Sequence, residues 1–434
     1  MGTLPPPSQL SLKSLKHQAK QLLKAQRQGD RHAWNRIRAL HPASVNRVEQ
    51  QQLASADFGL QDAQLVVARE YGFRSWPRLY AAVAGAAPQP DTSGQPTFRY
   101  QGAFALDIEK GPALRDFTDF HIGQQSIIGL VSKPHADFAH SGPAFVGQYS
   151  LSGAYIGRIG ALGTGPGQYE NACALALDPQ GRLFLYEQGY RSAECKYHIF
   201  AAGGSYMDCF AGLPGAAEML FDRAGNLLVV SNDEGNEADC GIYKLRLYPG
   251  GDLTQTPRYV LPLTKPQRRL LDRQHAPAGM VYQHSRDRLF FLPMNDYRIH
   301  EIDVAQGRLV DTFGTRPPAF RPVPEALLPQ KEMSLEEILA VREVSTRVGG
   351  LTLLSDRYLL LHFTDFPTPY PGRWMLYDLD APQRRGHMLD YPAFYTNWAT
   401  HTASRGDQLY TYIPPEFDTI ATSKGHFKVY SCRF

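Results

Sequence analysis

Six polar residues stand at or just before the starts of recurrent apolar runs: Gln125, Asn171, Glu218, His275, Arg347 and Asn397. Gathered at one axis, they would set amide, carboxylate, imidazole and guanidinium groups around a single funnel that can orient a small polar ligand. His401, on the last of these runs, would approach the same place. Glu218 and His275 are the candidates for a general base, provided desolvation carries the pKa toward neutrality. A water-filled channel without a ligand is the competing reading, and for each histidine so is a satisfied structural role. No motif-defined catalysis accompanies the set, since GxSxG, HExxH and EF-hand patterns are all absent from the chain. The 14 histidines follow no metal-ligand spacing. Ligands drawn from separate repeats would leave no linear trace, so metal and cofactor stay unassigned.

The elements that would gather these residues are repeated β units. One layout recurs: an apolar run, a polar turn, a stronger β run, then further β segments. It is clearest in CALALD-PQG-RLFLYEQ (Cys173–Gln188) and AEMLFD-RAG-NLLVVSND (Ala217–Asp233). AGMVYQ-HSRD-RLFFLPMND (Ala278–Asp296) and VGGLTLL-SD-RYLLLHFTD (Val348–Asp365) repeat it. Weaker copies begin near Ser126 and Trp398. Spacings of about 44 to 70 residues suit one four-stranded blade plus loops. A lone blade exposes two faces and two edges, so blades must pack in a closed ring. The expected fold is therefore mainly β: a six-bladed β-propeller with a small N-terminal α-helical domain. The early strand Thr97–Asp107 has no blade of its own and is expected to close the last one.

Residues 1–85 read as a basic helical module, 86–96 as a linker, and 97–434 as the propeller. Leu12, Leu15, Ala19, Leu22 and Leu23 recur at helical steps, with lysines on the other side. Gly29 marks a helix end and Asp30 the next start. A third helix spans Gln61–Tyr71, and Ser75 caps a fourth. Residues 252–277 and 315–345 read as insertions. The second carries a helix opened by Ser334 and Glu337 that would cover a channel mouth. Phe363, Phe366, Tyr370, Trp374, Tyr391, Phe394, Tyr395 and Trp398 would form inter-blade core or a stacking wall.

Two resemblances rest on particular residues. Leu15–Asp30, the Leu40-His41-Pro42 step and Asp62–Leu79 resemble a short helical module found ahead of bacterial ankyrin repeats, which implies no activity of its own. Arg158–Gln188, with its Gly163–Tyr169 turn, resembles the six-bladed propellers of the NHL and TolB-like bacterial families. That turn lacks a P-loop ending and precedes a strand, so it reads as a lead-in to a blade rather than a phosphate cradle.

Residues 1–90 hold 12 Lys/Arg against 5 Asp/Glu, and the remainder 33 against 37, which suggests two units with different surfaces. No recognition motif accompanies the basic helix face, so nucleic acid is not an expected partner. Five cysteines without a pairing framework, and no signal or membrane-spanning segment, make a cytoplasmic protein the expectation. The composite expectation is a ligand- or protein-binding propeller with a helical interaction module. Its partner would be a small polar molecule, or a protein or peptide at the propeller face. The alternative is a propeller enzyme with its site in the funnel: a hydrolase, lactonase or lyase, with or without a metal.

Overall fold

The computed structural model describes residues 11–40, 58–71, 76–83, 97–106, 116–132, 145–188, 194–212, 216–232, 243–261, 279–293, 296–317, 320–322, 346–365, 371–395, 402–413 and 426–433. Six four-stranded antiparallel sheets form the blades of a propeller. Blade 1 contains β2 (Asp116–Ile122), β3 (Ser126–Ser132), β4 (Phe145–Ser150) and β5 (Tyr155–Ile159). A short parallel pair, β6 (Ala161–Leu162) and β7 (Gln168–Tyr169), leads into blade 2. That blade contains β8 (Ala172–Leu177), β9 (Leu183–Gln188), β10 (Cys195–Phe200) and β11 (Tyr206–Gly212). Blade 3 contains β12 (Ala216–Phe221), β13 (Leu227–Asn232), β14 (Tyr243–Tyr248) and β15 (Arg258–Leu261). Blade 4 contains β16 (Gly279–Gln283), β17 (Arg288–Leu292), β18 (Ile299–Asp303) and β19 (Arg308–Phe313). Blade 5 contains β20 (Thr346–Leu354), β21 (Tyr358–Asp365), β22 (Pro371–Asp378) and β23 (His387–Tyr395).

Blade 6 joins the two ends of the ring. From the axis outward it holds β24 (Thr402–Arg405), β25 (Gln408–Ile413), β26 (His426–Arg433) and then β1 (Thr97–Ala105). β1 pairs antiparallel with β26 from Thr97↔Arg433 to Ala105↔His426. The inner strands β2, β8, β12, β16, β20 and β24 neighbour one another in that order, and β24 returns to β2.

Turn chemistry explains the clearest repeats. The Asp178 carboxylate accepts the Gln180 and Arg182 N–H groups, and Gly181 takes φ +78°, so the chain reverses from β8 into β9. Asp222 accepts the Asn226 N–H, and Gly225 takes φ +81°, giving the same reversal in blade 3. Apolar clusters then join one blade to the next. Ala174, Phe184, Tyr186 and Tyr197 of blade 2 share a cluster with Met219, Leu227 and Val229 of blade 3. Full burial of the larger aliphatic members and the phenylalanine contributes about 1.5–3 kcal/mol each relative to exposure.

Two details differ from the sequence reading. The run at Ser126 is the second strand of blade 1, because the inner strand is the polar segment DFTDFHI. The inner strands β8, β12 and β16 are largely apolar and β2 is not, so in blade 1 apolarity points to the second strand instead. Arg258–Leu261, read as part of an insertion, is the outermost strand of blade 3. The 86–96 linker and the Ser334–Glu337 helix start lie outside the described residues.

The N-terminal helices are α1 (Leu12–Arg27), α2 (Arg31–Leu40), α3 (Leu60–Glu70) and α4 (Trp76–Val83). Ser11 caps α1 through its hydroxyl, and Asp30 accepts the Ala33 N–H at 2.9 Å to start α2. Leu15, Ala19, Leu22, Ile37, Ala63 and Val66 are buried between the helices. Arg36 grips Glu70 with two hydrogen bonds, at 2.6 and 2.8 Å. The same apolar cluster extends to Leu354, Trp374, Leu376 and Leu389, so the helices pack on the outer side of blade 5. Trp374 is therefore core, as is Phe363 in the cluster between blades 4 and 5.

Candidate functional site

Four inner strands carry a β-bulge near their start: between Phe117 and Asp119, Ala172 and Ala174, Ala216 and Glu218, and Val348 and Gly350. A bulge re-aims the side chain that follows it. The residues so placed are Asp119, Ala174, Glu218 and Gly350, one from each of blades 1, 2, 3 and 5. Two of the four are carboxylates, while Ala174 is buried in the cluster between blades 2 and 3. Glu218 is half-buried, and its Oε1 accepts the Met280 N–H of blade 4 at 3.0 Å. Burial, reinforced by the Asp119 charge, pushes the Glu218 carboxyl up to about 8, and the Met280 N–H opposes this. One turn of the pleat further on, the His121 Nε2–H donates to the Leu175 carbonyl at 3.1 Å, tying blade 1 to blade 2.

The other sequence candidates divide. Asn171 sits just before β8, half-buried, with its amide donating to Cys173 Sγ at 3.6 Å and its carbonyl accepting the Gln188 N–H. Gln125 is exposed in the turn after the inner strand of blade 1, at the end opposite the strand starts. Its misplacement follows from taking β3 for the inner strand. Arg347 lies on β20 opposite Thr364. His275, Asn397 and His401 lie outside the described residues. Asp119 was missed for the same reason as Gln125 was chosen, although the D-F-T-D pattern of β2 was there to be read.

A second polar constellation lies off the axis. Tyr169, at the end of the Gly163–Tyr169 turn, is buried and clamps blade 1: its OH accepts the Val146 N–H and donates to the Ile159 carbonyl, both at 2.8 Å. Gly160 permits this, because a Cβ there would come within 2.7 Å of the Tyr169 ring. Between this turn and the face of blade 2 lies a cleft of about 220 Å³. Glu187 and His198 form its base, Lys196 and Cys209 flank them, and Glu170 and Tyr206 stand at its sides. The register places Cys209 opposite His198 and Lys196 opposite Glu187, so all four share one face. Glu187 Oε2 lies 2.6 Å from His198 Nε2, and its Oε1 accepts the Glu170 N–H at 2.5 Å. Burial alone would raise this carboxyl. The His198 bond, the Glu170 N–H and the Lys196 charge outweigh it and hold the pKa below its ordinary value. The Cys209 thiol is pushed up by burial and by the Glu187 and Asp208 charges, against Lys196, so it stays protonated.

His362, opposite Gly350 on β21, is fully buried beside Trp374, and both its ring nitrogens lack partners among the described residues. Burial pushes it down to about 3, so it is a neutral core residue at physiological pH. Among the described residues no group of three or more His, Cys, Asp or Glu is arranged to hold a metal ion. No described helix is long and apolar enough to cross a membrane.

No protein-family model matches the chain, and neither does any curated protein. Solved structures do match. One is a Bacteroides fragilis protein provisionally designated as exported: 14% identity, TM-score 0.52, covering 78% of this chain and 95% of that one. A DUF4221 member from Bacteroides vulgatus aligns at 8% identity and TM-score 0.48, over 78% and 99% of the two chains. A catalytically inactive virginiamycin B lyase from Staphylococcus aureus, bound to quinupristin, aligns at 10% and TM-score 0.41, over 77% and 99%. At these identities the likeness is one of fold: the chain is a six-bladed propeller, an architecture shared by proteins of different activity.

Proposed function

We propose that this chain is a ligand-binding propeller whose ligand sits on the ring axis, against Glu218 and Asp119. The ligand is a small polar molecule that donates hydrogen bonds. The observation that carries this reading is the placement of the Glu218 carboxyl. It projects after a bulge, is held by a backbone N–H of the next blade, and lies beside a second carboxylate. The helical module adds a second contact surface, where a protein or peptide would bind. The NHL and TolB-like kinship of the propeller, the ankyrin-associated kinship of the module and a cytoplasmic setting belong to this proposal.

A thermal-shift screen of polar metabolites on the whole chain, repeated with Glu218→Gln and Asp119→Asn, tests it. At least one compound should stabilise the native chain and lose its effect in both variants. No stabilising compound, or equal shifts in all three proteins, would sink the axial reading.

One observation favours an enzyme as the second reading. A carboxyl that titrates near 8 is a protonated acid at neutral pH and can give up its proton within the working range. Turnover of a lactone or glycan substrate, with a pH profile that moves in Glu218→Gln, would select this reading over simple binding.

A further inference from the structure

Glu218 Oε1 accepts the Met280 N–H, but Oε2 and both carboxylate oxygens of Asp119 have no partner among the described residues. None of these three oxygens is among the partnerless polar atoms shut off from solvent, and both residues are half-buried, so an occupant of the channel can reach them. Among the described residues the charge that acts on Glu218 is that of Asp119, with no cation to offset it. Free acceptors in a negative field favour a donor that is itself positive.

The walls beside the pair are apolar. Leu220 follows Glu218 by one pleat on the same face of β12, and Val281 is next to Met280 on β16. Both are half-buried, as are Leu353 of β20 and Ala403 of β24. These residues belong to the innermost strands, so the part of each that its blades leave uncovered opens on the channel or its nearer mouth. Apolar surface next to a carboxylate pair rewards hydrocarbon joined to the cation, from which a hydrated metal ion gains nothing.

Resting on the axial reading, we infer that the ligand is a small amine with an apolar body: its ammonium group donates to Asp119 and Glu218, and its body lies along Leu220 and Val281. Glu218 is mostly protonated at pH 7, since its carboxyl sits near 8, and an ammonium beside it favours the ionised form. Binding must therefore expel a proton. The other titratable groups described on the strands around Glu218 are Asp119 and His121 of β2, Cys173 of β8 and Tyr282 of β16. Burial pushes the Cys173 thiol up to about 11, and Tyr282 is bonded to Asp287.

Calorimetric titration of the whole chain with 2-phenylethylamine tests this, beside methylamine, which has the head alone, and 2-phenylethanol, which has the body and a neutral donor. The phenylethylamine should bind at one site and more tightly than either. Titrations at pH 7 in phosphate and in Tris should show close to one proton released per amine bound. Affinity should rise about tenfold from pH 7 to 9 as Glu218 ionises, and Glu218→Gln should remove both effects. Asp119→Asn should weaken binding about tenfold, the scale of one charge-assisted hydrogen bond. Val281→Thr, which keeps the shape of the side chain, should weaken the phenylethylamine about threefold. Absence of phenylethylamine binding up to about 10 mM, or binding without proton release, would overturn the inference. If 2-phenylethanol bound as tightly and lost its binding in Glu218→Gln, the axial site would stand and the amine class would fall. Failure of the axial site itself is read separately, by the thermal-shift screen.

Discussion

Glu218 on the axis and Glu187 in the blade 2 cleft are both drawn away from bulk water, yet their carboxyls move in opposite directions. Among the described residues Glu218 has one donor, the Met280 N–H, and a like charge nearby in Asp119. Glu187 has two donors, the His198 ring and the Glu170 N–H, and a lysine nearby. Burial raises both, so the number of donors and the sign of the neighbour decide the outcome. A carboxyl pushed up suits exchange of a proton or capture of a donor from outside. One held down serves as a fixed charge that orients a histidine. The two regions also differ in how they are assembled. The axial pair needs blades 1 and 3 held in place by the whole ring. The cleft needs blade 2 and the turn before it.

The largest effect should therefore come from opening the ring. A chain beginning at residue 108 lacks β1 and leaves β26 as an unpaired edge, whereas a chain beginning at 97 keeps it. Comparing the two separates the strand from the helices. The shorter one should melt lower by on the order of 10 °C or more, read by circular dichroism. Axial ligand shifts should vanish with it. Equal melting temperatures would show that β1 is dispensable and that the axial pair does not rely on closure.

Glu218→Gln comes next and sharpens the contrast with Glu187. The folded Glu218 titrates near 8 against an ordinary 4.5, so between those values the native chain holds a proton that the unfolded chain has released. Stability must then fall as pH rises from about 4.5 to 8 and stay reduced above it. Glutamine cannot ionise, so the variant should lack that fall. It should exceed the native chain at pH 9 by up to roughly 5 kcal/mol, at about 1.4 kcal/mol per unit of displacement. Urea unfolding at pH 5, 7 and 9 reads this directly. Parallel pH curves for the two proteins would remove the elevated carboxyl.

How much of this was legible in the sequence depends on what each residue answers to. Asp178 and Asp222 announce their hairpins because a local turn dictates an aspartate and a glycine at fixed spacing. Ser11, Gly29 and Asp30 are equally local, and the helices begin and end on them. Glu218 was found because the run that follows it is apolar and regular. Asp119 was not, because β2 borders the channel and carries Asp116, Asp119 and His121 where an apolar core strand was sought. The cleft left a different kind of gap. Glu187, His198 and Cys209 are separated by 11 residues at each step, and only the registers of β9, β10 and β11 bring them to one face. Two adjacent hairpins with polar residues in phase were the available signal. A search for linear motifs passes over it.

The same substitution at the other carboxylate should have the opposite sign. Glu187→Gln removes a charge that accepts from His198 and the Glu170 N–H. Its folded pKa is lowered, so the contribution is present above the ordinary carboxylate value and is lost as pH falls through the folded one. The variant should be less stable by about 2 kcal/mol at pH 7. That deficit should shrink toward pH 3, where the native chain gives up the same charge. A neutral or stabilising result at pH 7 would mean that the Glu187–His198 pair does not hold the cleft in shape.

The smallest effect tests whether each site belongs to its own blade. Asp178→Ala and Asp222→Ala remove matching turn hydrogen bonds from blades 2 and 3, and each should lower stability by about 1 kcal/mol. Asp178 also accepts the Gln180 N–H and holds the Arg182 guanidinium, where Asp222 holds only the uncharged Asn226 amide, so its loss should be the slightly larger. The informative readout is local. Asp222 ends the strand that carries Glu218, so its alanine variant should shift the pH midpoint of the axial carboxyl and leave that of Glu187 alone. Asp178 ends the strand beside β9, so Asp178→Ala should weaken the cleft and spare the axis. If both variants disturbed both sites equally, the ring would be transmitting strain between blades. The separation of a closed-ring site from a single-blade site would then have to be abandoned.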